Sequence, residues 1–200
     1  MPTAAALANT DRVVKLPPPA IQSGGELIAA LKARRSTRAF AAKELPKELL
    51  STLLWAAFGI NRPETTGRTA PSAHGWQEVS VHVVLPEGAY YYDAEANALT
   101  MVARGDFRAL TGMQEFVGTA PLNLVYVADF ERMKDASDED RIFYASADAG
   151  VIAQNVYLFC AANGLATVVR GLVDRKRLAP VLSLRLKQRI VLAQTVGYPL

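Results

Sequence analysis

The sequence predicts an α+β domain whose central sheet is mostly antiparallel, with helices on its flanks. Three observations carry this expectation. Val79–Leu85, Leu122–Ala128 and Ile190–Val196 are short runs rich in β-branched and apolar residues, the pattern of buried strands. Pro46–Phe58 and Asp140–Asn163 instead repeat apolar residues at three and four, the pattern of amphipathic helices. The two kinds of segment mix without the regular strand–helix–strand rhythm of a parallel sheet.

The elements follow in chain order. Residues 1–22 read as an extended arm, because Pro17, Pro18 and Pro19 force a polyproline-like path and remove three backbone donors. Such an arm is either a tail or a strap across a partner subunit. The remainder, 23–200, reads as one domain. Glu26–Arg35 carries Leu27, Ile28 and Leu31 at helical spacing. In the next helix Pro46 suits the first turn and Gly59 the stop. The strand Val79–Leu85 ends at Pro86 and Gly88, and Tyr90–Asp93 with Ala98–Ala103 form a hairpin around residues 94–97. Residues 106–117 are expected to be helical, ahead of the strand Leu122–Ala128. The long helix Asp140–Asn163 stops at Gly164 and is apolar on much of its circumference, so it is either central or shared with another subunit. Thr167–Val169 is a short strand, Asp174 caps a helix through Val181, and Ile190–Val196 closes the sheet.

Composition bounds the function. The chain has 200 residues, half of them hydrophobic and a fifth charged, which suffices for a sizeable core and excludes a disordered chain. No run reaches the roughly 18 apolar residues that span a bilayer, so no membrane association is expected. Met1–Asn9 lacks the basic start and apolar stretch of a signal peptide, which favours the cytoplasm. A single cysteine, Cys160, and two histidines, His74 and His82, leave too little for a disulfide framework or a zinc site, so no metal is expected. A net charge of +3 suits a small anionic ligand better than a nucleic acid, which would ask for a clustered basic face.

Two segments could bind such a ligand. Arg34-Arg35-Ser36-Thr37-Arg38 offers three guanidinium groups and two hydroxyls within five residues, enough charge-assisted donors for one phosphate. The same cations would also complement a helix C-terminus whatever the function. Arg68–Gln77 contains small residues beside Pro71, which let the backbone approach a flat ligand; taken alone, the segment reads first as an ordinary turn leading into a strand. No G-x-S-x-G elbow, Walker loop or G-x-G-x-x-G occurs, and Cys160 falls on the apolar stripe of the long helix. The absence of any catalytic dyad fits a protein whose chemistry belongs to a bound cofactor.

Several segments, taken in order, resemble the FMN-dependent nitroreductase family, closest to its short, dehydrogenase-like bacterial branch. They are Arg34–Phe40 (RRSTRAF), Leu53–Arg62 (LLWAAFGINR), Arg68–Gln77 (RTAPSAHGWQ), Asp148–Asn155 (DAGVIAQN), Gly164–Asp174 (GLATVVRGLVD) and the closing Val196-Gly197-Tyr198-Pro199. The resemblance spans about residues 26 to 199. It implies an intertwined homodimer with FMN at the subunit interface. Arg34, Arg35, Ser36 and Arg38 would hold the phosphate and ribityl end, with Arg38 reaching instead, in the other reading, the N1/O2 edge of the ring. Pro71, Ser72, Ala73 and His74 would meet the flavin of the other subunit, Gln114 the pyrimidine edge, and a backbone N–H at Arg170 or Gly171 the flavin N5.

The implied activity is an NAD(P)H oxidoreductase that passes two electrons to a small organic acceptor, a nitroaromatic or quinone, by a ping-pong scheme. A flavin-binding or flavin-processing protein without NAD(P)H turnover, and an azoline-type dehydrogenase, are the alternatives. Two departures stand out. Larger members carry further cations beyond the last strand, whereas this sequence ends at Leu200, and Phe116 or a neighbour occupies the place where some members hold a lysine near the flavin. The identity of a further phosphate-end cation, and the tuning of the ring, therefore stay open.

Overall fold

The computed structural model describes residues 25–200; the arm expected over residues 1–22 lies outside them. Helix α1 (Gly25–Ala33) and helix α2 (Lys47–Phe58) come first, followed by a two-stranded ribbon of β1 (Ile60–Arg62) and β2 (Gly67–Arg68). Strands β3 (Val79–Leu85), β4 (Gly88–Asp93), β5 (Ala98–Arg104) and β6 (Leu122–Asp129) precede the long helix α3 (Asp138–Ala162). Strand β7 (Ala166–Arg170), helix α4 (Arg175–Val181) and strand β8 (Gln188–Gly197) complete the chain. Six strands form one sheet in the order β5-β4-β3-β6-β8-β7, and every pairing is antiparallel. The α+β expectation is met.

The ends of α3 explain its length. Ser137 caps it by accepting from the Asp140 N–H, and three acids fill the first turn, where the helix dipole favours negative charge. At the other end Gly164 is left-handed (φ 65°), and the Leu165 N–H reaches back to the Cys160 carbonyl, a closure that suits glycine. Gly59 ends α2 for a different reason. Its backbone is extended, and a Cβ there would stand 2.7 Å from Trp55 Cα.

The sheet has a core on each face. Leu53 and Leu54 of α2, with Ile152 and Val156 of α3, bury against Val81, Leu124 and Tyr126. On the far face Leu178 and Leu182 pack on Val125, Val127 and Ile190. Strand β6 is buried on both faces, which accounts for its largely apolar sequence, interrupted by Asn123 before the closing Asp129. His82 lies in β3 with 5% exposure, and burial pushes its pKa down to about 4, so the ring is neutral and structural.

Two local expectations fail. Residues 106–117 are not a helix but two short 3-10 turns, Arg108–Thr111 and Glu115–Gly118, separated by an extended Gly112. Gly112 passes against the Arg170 guanidinium and leaves no room for a Cβ, which would also sit 2.8 Å from Gln114 Oε1. The β1–β2 ribbon falls where no strand is expected, because two or three residues are too short to show a period. Among the described residues no helix is long and apolar enough to cross a membrane.

Candidate functional site

Strand β7 lies at one edge of the sheet, and an open edge leaves backbone donors and acceptors unpaired. The segment after α1 covers that edge. Thr37 N–H donates to the Thr167 carbonyl (2.9 Å), and farther along Ala41 N–H donates to the Tyr198 carbonyl (2.9 Å). The Ser36 and Tyr157 hydroxyls share a hydrogen bond of 2.8 Å, and Tyr157 Oη also accepts the Val169 N–H at 3.0 Å. The Arg34 guanidinium stands over the Tyr157 ring, 5.4 Å from its centroid. Lys32, Arg34, Arg35, Thr37, Tyr157 and Thr167 border a cleft of about 410 Å³, and among the described residues no carboxylate lines it. Arg35 and Arg38 are exposed, and Arg38 is not among the lining residues. Three cations beside a groove free of acids make an anion-binding arrangement.

The Pro71–His74 turn is built on a pair of buried acids. Ser72 Oγ accepts the Gln77 N–H (2.8 Å) and donates to Glu78 Oε2 (3.1 Å), while the Ala73 N–H donates to Asp148 Oδ2 on α3 (2.9 Å). His74 adopts a left-handed backbone (φ 51°) and is exposed. Its ring stacks on Trp76 at 4.4 Å, with Tyr144 edge-on to both. Pro71 is exposed beside it. The turn thus offers backbone, proline and an aromatic surface, whereas the Ser72 hydroxyl is spent inside it.

Glu78 is 1% exposed, and burial, reinforced by the Asp148 carboxylate, raises its pKa. A carboxyl raised above its unfolded value stabilises the fold while protonated, at pH below that unfolded value. The contribution is lost as pH rises through the folded pKa. Glu78→Gln mimics the protonated form, so Tm is expected to rise at pH 8 and to stay level at pH 4. Thermal melts at the two pH values measure this, and an equal shift at both would assign the effect to packing.

Arg170, at the end of β7, is 5% exposed and serves the fold. Its guanidinium donates to the Thr111 carbonyl, Asn123 Oδ1 (2.9 Å) and Thr195 Oγ1 (2.9 Å), which ties β7 to β6, β8 and the 3-10 turns. Burial lowers its pKa to about 10, which leaves it charged at neutral pH. Both Nη groups are therefore committed within the protein, whereas the buried Nε has no hydrogen-bond partner among the described residues. Gly171 is exposed, with nothing nearer to its Cβ position than Leu192 Cδ2 at 4.0 Å. Gln114 is half-buried, with Oε1 lacking a protein partner. Phe116 packs on Phe40 at 5.4 Å and stands 6.0 Å from the Arg170 guanidinium.

Within one chain these residues form two groups. Tyr157 beneath the arginine segment and Asp148 beneath the Pro71–His74 turn are nine residues apart on α3. At 3.6 residues per turn and 1.5 Å per residue, that places them on opposite sides of the helix and about 13 Å apart along it. Sequence reasoning missed Tyr157, Glu78, Asp148, Asn123 and Thr195 as part of these groups. Only Asn123 carries a signal, as a polar residue inside the otherwise apolar run Leu122–Ala128. Cys160 is fully buried, its thiol pushed up to about 12, and is no nucleophile. Among the described residues no three His, Cys, Asp or Glu side chains could share a metal ion.

Comparison with known proteins bears on the same residues. A family model described as "Nitroreductase family" matches residues 31–198. A Methanocaldococcus jannaschii protein named "putative nitroreductase" is 29% identical over 174 residues, 82% of this chain and 86% of its own. The crystal structure of a "putative nitroreductase" from Ralstonia eutropha JMP134 is 44% identical, covers 98% of this chain and 93% of that one, and superposes with a TM-score of 0.84. The NADPH:FMN oxidoreductase of Vibrio harveyi, complexed with NAD+, shares the fold at 24% identity and a TM-score of 0.64, over 87% of this chain and 69% of its own.

Proposed function

The chain belongs to the nitroreductase family, and from that premise we propose that it is an FMN-dependent oxidoreductase acting as a homodimer. The observation that carries the cofactor is the cleft on the β7 edge, where Lys32, Arg34 and Arg35 line a groove that has no carboxylate among the described residues. That donor set fits a phosphate monoester. Arg38, outside the cleft lining, is assigned to the N1/O2 edge of the ring. Gln114 is assigned to the pyrimidine edge, and the Gly171 N–H to N5.

A second chain completes the site. Because the arginine segment and the Pro71–His74 turn lie on opposite sides of α3, the turn of one chain is assigned to the flavin held by the other. The outer face of α3 supports this, with Ile142 and Phe143 62% and 65% exposed.

Bound FMN would supply two-electron transfer at N5, from NAD(P)H to a small organic acceptor such as a quinone or nitroaromatic, in a ping-pong scheme. The protein's own residues bind, orient and exclude water; none acts as a nucleophile. Arg38 would set a positive charge where the reduced ring carries negative charge.

The test is the visible spectrum of the purified protein with the released chromophore identified by mass, followed by NADPH and NADH oxidation with a quinone acceptor. Released FMN and acceptor-dependent turnover are expected. A colourless protein that fails to take up added FMN overturns the reading, and a flavin-loaded protein without nicotinamide turnover reduces it to flavin binding.

A further inference from the structure

We infer that Tyr157 is the positioning residue that makes this site select a phosphorylated flavin, an inference that rests on the FMN reading above. Its side chain takes hold of the anion-binding segment twice. The ring lies under the Arg34 guanidinium at 5.4 Å, and the hydroxyl bonds Ser36 Oγ at 2.8 Å. The same hydroxyl accepts the Val169 N–H at 3.0 Å from the edge of β7, two residues before Gly171. One oxygen therefore ties the phosphate end of the site to the strand that carries the proposed N5 donor.

The geometry favours positioning over simple packing. Tyr157 is 7% exposed, so its hydroxyl needs internal partners, and it finds one on the sheet edge and one on the loop. Ser36, by contrast, is exposed. Without the bond to Tyr157, the exposed Ser36 hydroxyl would sample several rotamers, and a bound phosphate would have to order it. The loop backbone is held independently by the Thr37 N–H to Thr167 bond, and Val169 stays paired with Gln194 in the β7–β8 ladder, so loss of the tyrosine hydroxyl frees Ser36 and leaves the Val169 N–H without its acceptor while the chain path is kept.

The experiment titrates apoprotein with FMN and with riboflavin, which differ only in the phosphate. Wild type is expected to prefer FMN. Tyr157→Phe keeps the ring under Arg34 and removes one hydroxyl, so the FMN Kd should rise roughly three- to tenfold while the riboflavin Kd moves less than about twofold. Ser36→Ala removes the same bond from the exposed side. The double variant should lose no more than the weaker-binding single variant, because the two act through one interaction. Losses that add, or FMN and riboflavin affinities that fall together, overturn the inference and leave Tyr157 a packing residue. A wild type that prefers FMN beside a Tyr157→Phe protein with undiminished preference overturns it alone. A wild type that takes up neither flavin overturns the FMN reading and the inference with it.

Discussion

Arg170→Ala is expected to cost about 2–5 kcal/mol of stability, more than any other substitution named for this chain. The guanidinium is a buried cation with neutral partners drawn from three elements, the Thr111 carbonyl, Asn123 and Thr195. Asn123 Oδ1 also accepts from Thr195 Oγ1 at 2.6 Å, so the cation anchors a network rather than a pair. Truncation to alanine leaves the Thr111 carbonyl without its donor and a void among the strands. Arg170→Met refills the void and lets Asn123 and Thr195 satisfy each other, so it should recover part of the loss. Urea unfolding of the three proteins measures both steps. An Arg170→Ala midpoint equal to that of wild type would remove Arg170 from its place at the centre of the fold. Flavin content should fall as well, since Gly112 lies against the guanidinium and carries the path to Gln114 and Phe116.

Arg38→Ala is expected to do the reverse, with flavin lost and the fold kept. Arg38 is exposed, and among the described residues it makes no ion pair, so Tm should stay within about 1–2 °C of wild type. A charged contact to a ligand contributes about 1.5–3 kcal/mol, which corresponds to a roughly ten- to hundredfold rise in Kd. Assigned to the ring edge and not to the phosphate, Arg38 should weaken FMN and riboflavin alike, which separates it from the Tyr157–Ser36 pair. The ratio of flavin to protein absorbance after gel filtration, with a thermal melt of the apoprotein, reads both quantities. Equal flavin content in variant and wild type removes Arg38 from the site.

The sequence by itself determined the secondary elements whose signals are local. The apolar stripe of α3 and its Gly164 stop lie within a few residues of the backbone they direct, whereas the start at Asp138 and its Ser137 cap fall two to three residues before the expected Asp140. The antiparallel α+β class followed from three β-branched runs without a parallel rhythm, and all three became strands of one sheet. The basic segment Arg34–Arg38 and the Pro71–Ala73 turn were legible as short motifs, because three guanidinium groups with two hydroxyls, and small residues beside a proline, are distinctive over a few residues.

Only the tertiary structure decided what those motifs rest on. Residues 106–117 have helical letters, yet Arg170, far along the chain, bends them into two turns around Gly112. Ser36 meets Tyr157 across 121 residues, and Ala73 meets Asp148 across 75. Tyr157 and Asp148 sit among apolar helix positions with no local mark of their task. The physical reason is the same in each case. Propensity and capping act through the backbone over one or two turns, whereas a buried hydroxyl, carboxylate or guanidinium takes whichever partner the packed sheet brings within hydrogen-bond reach.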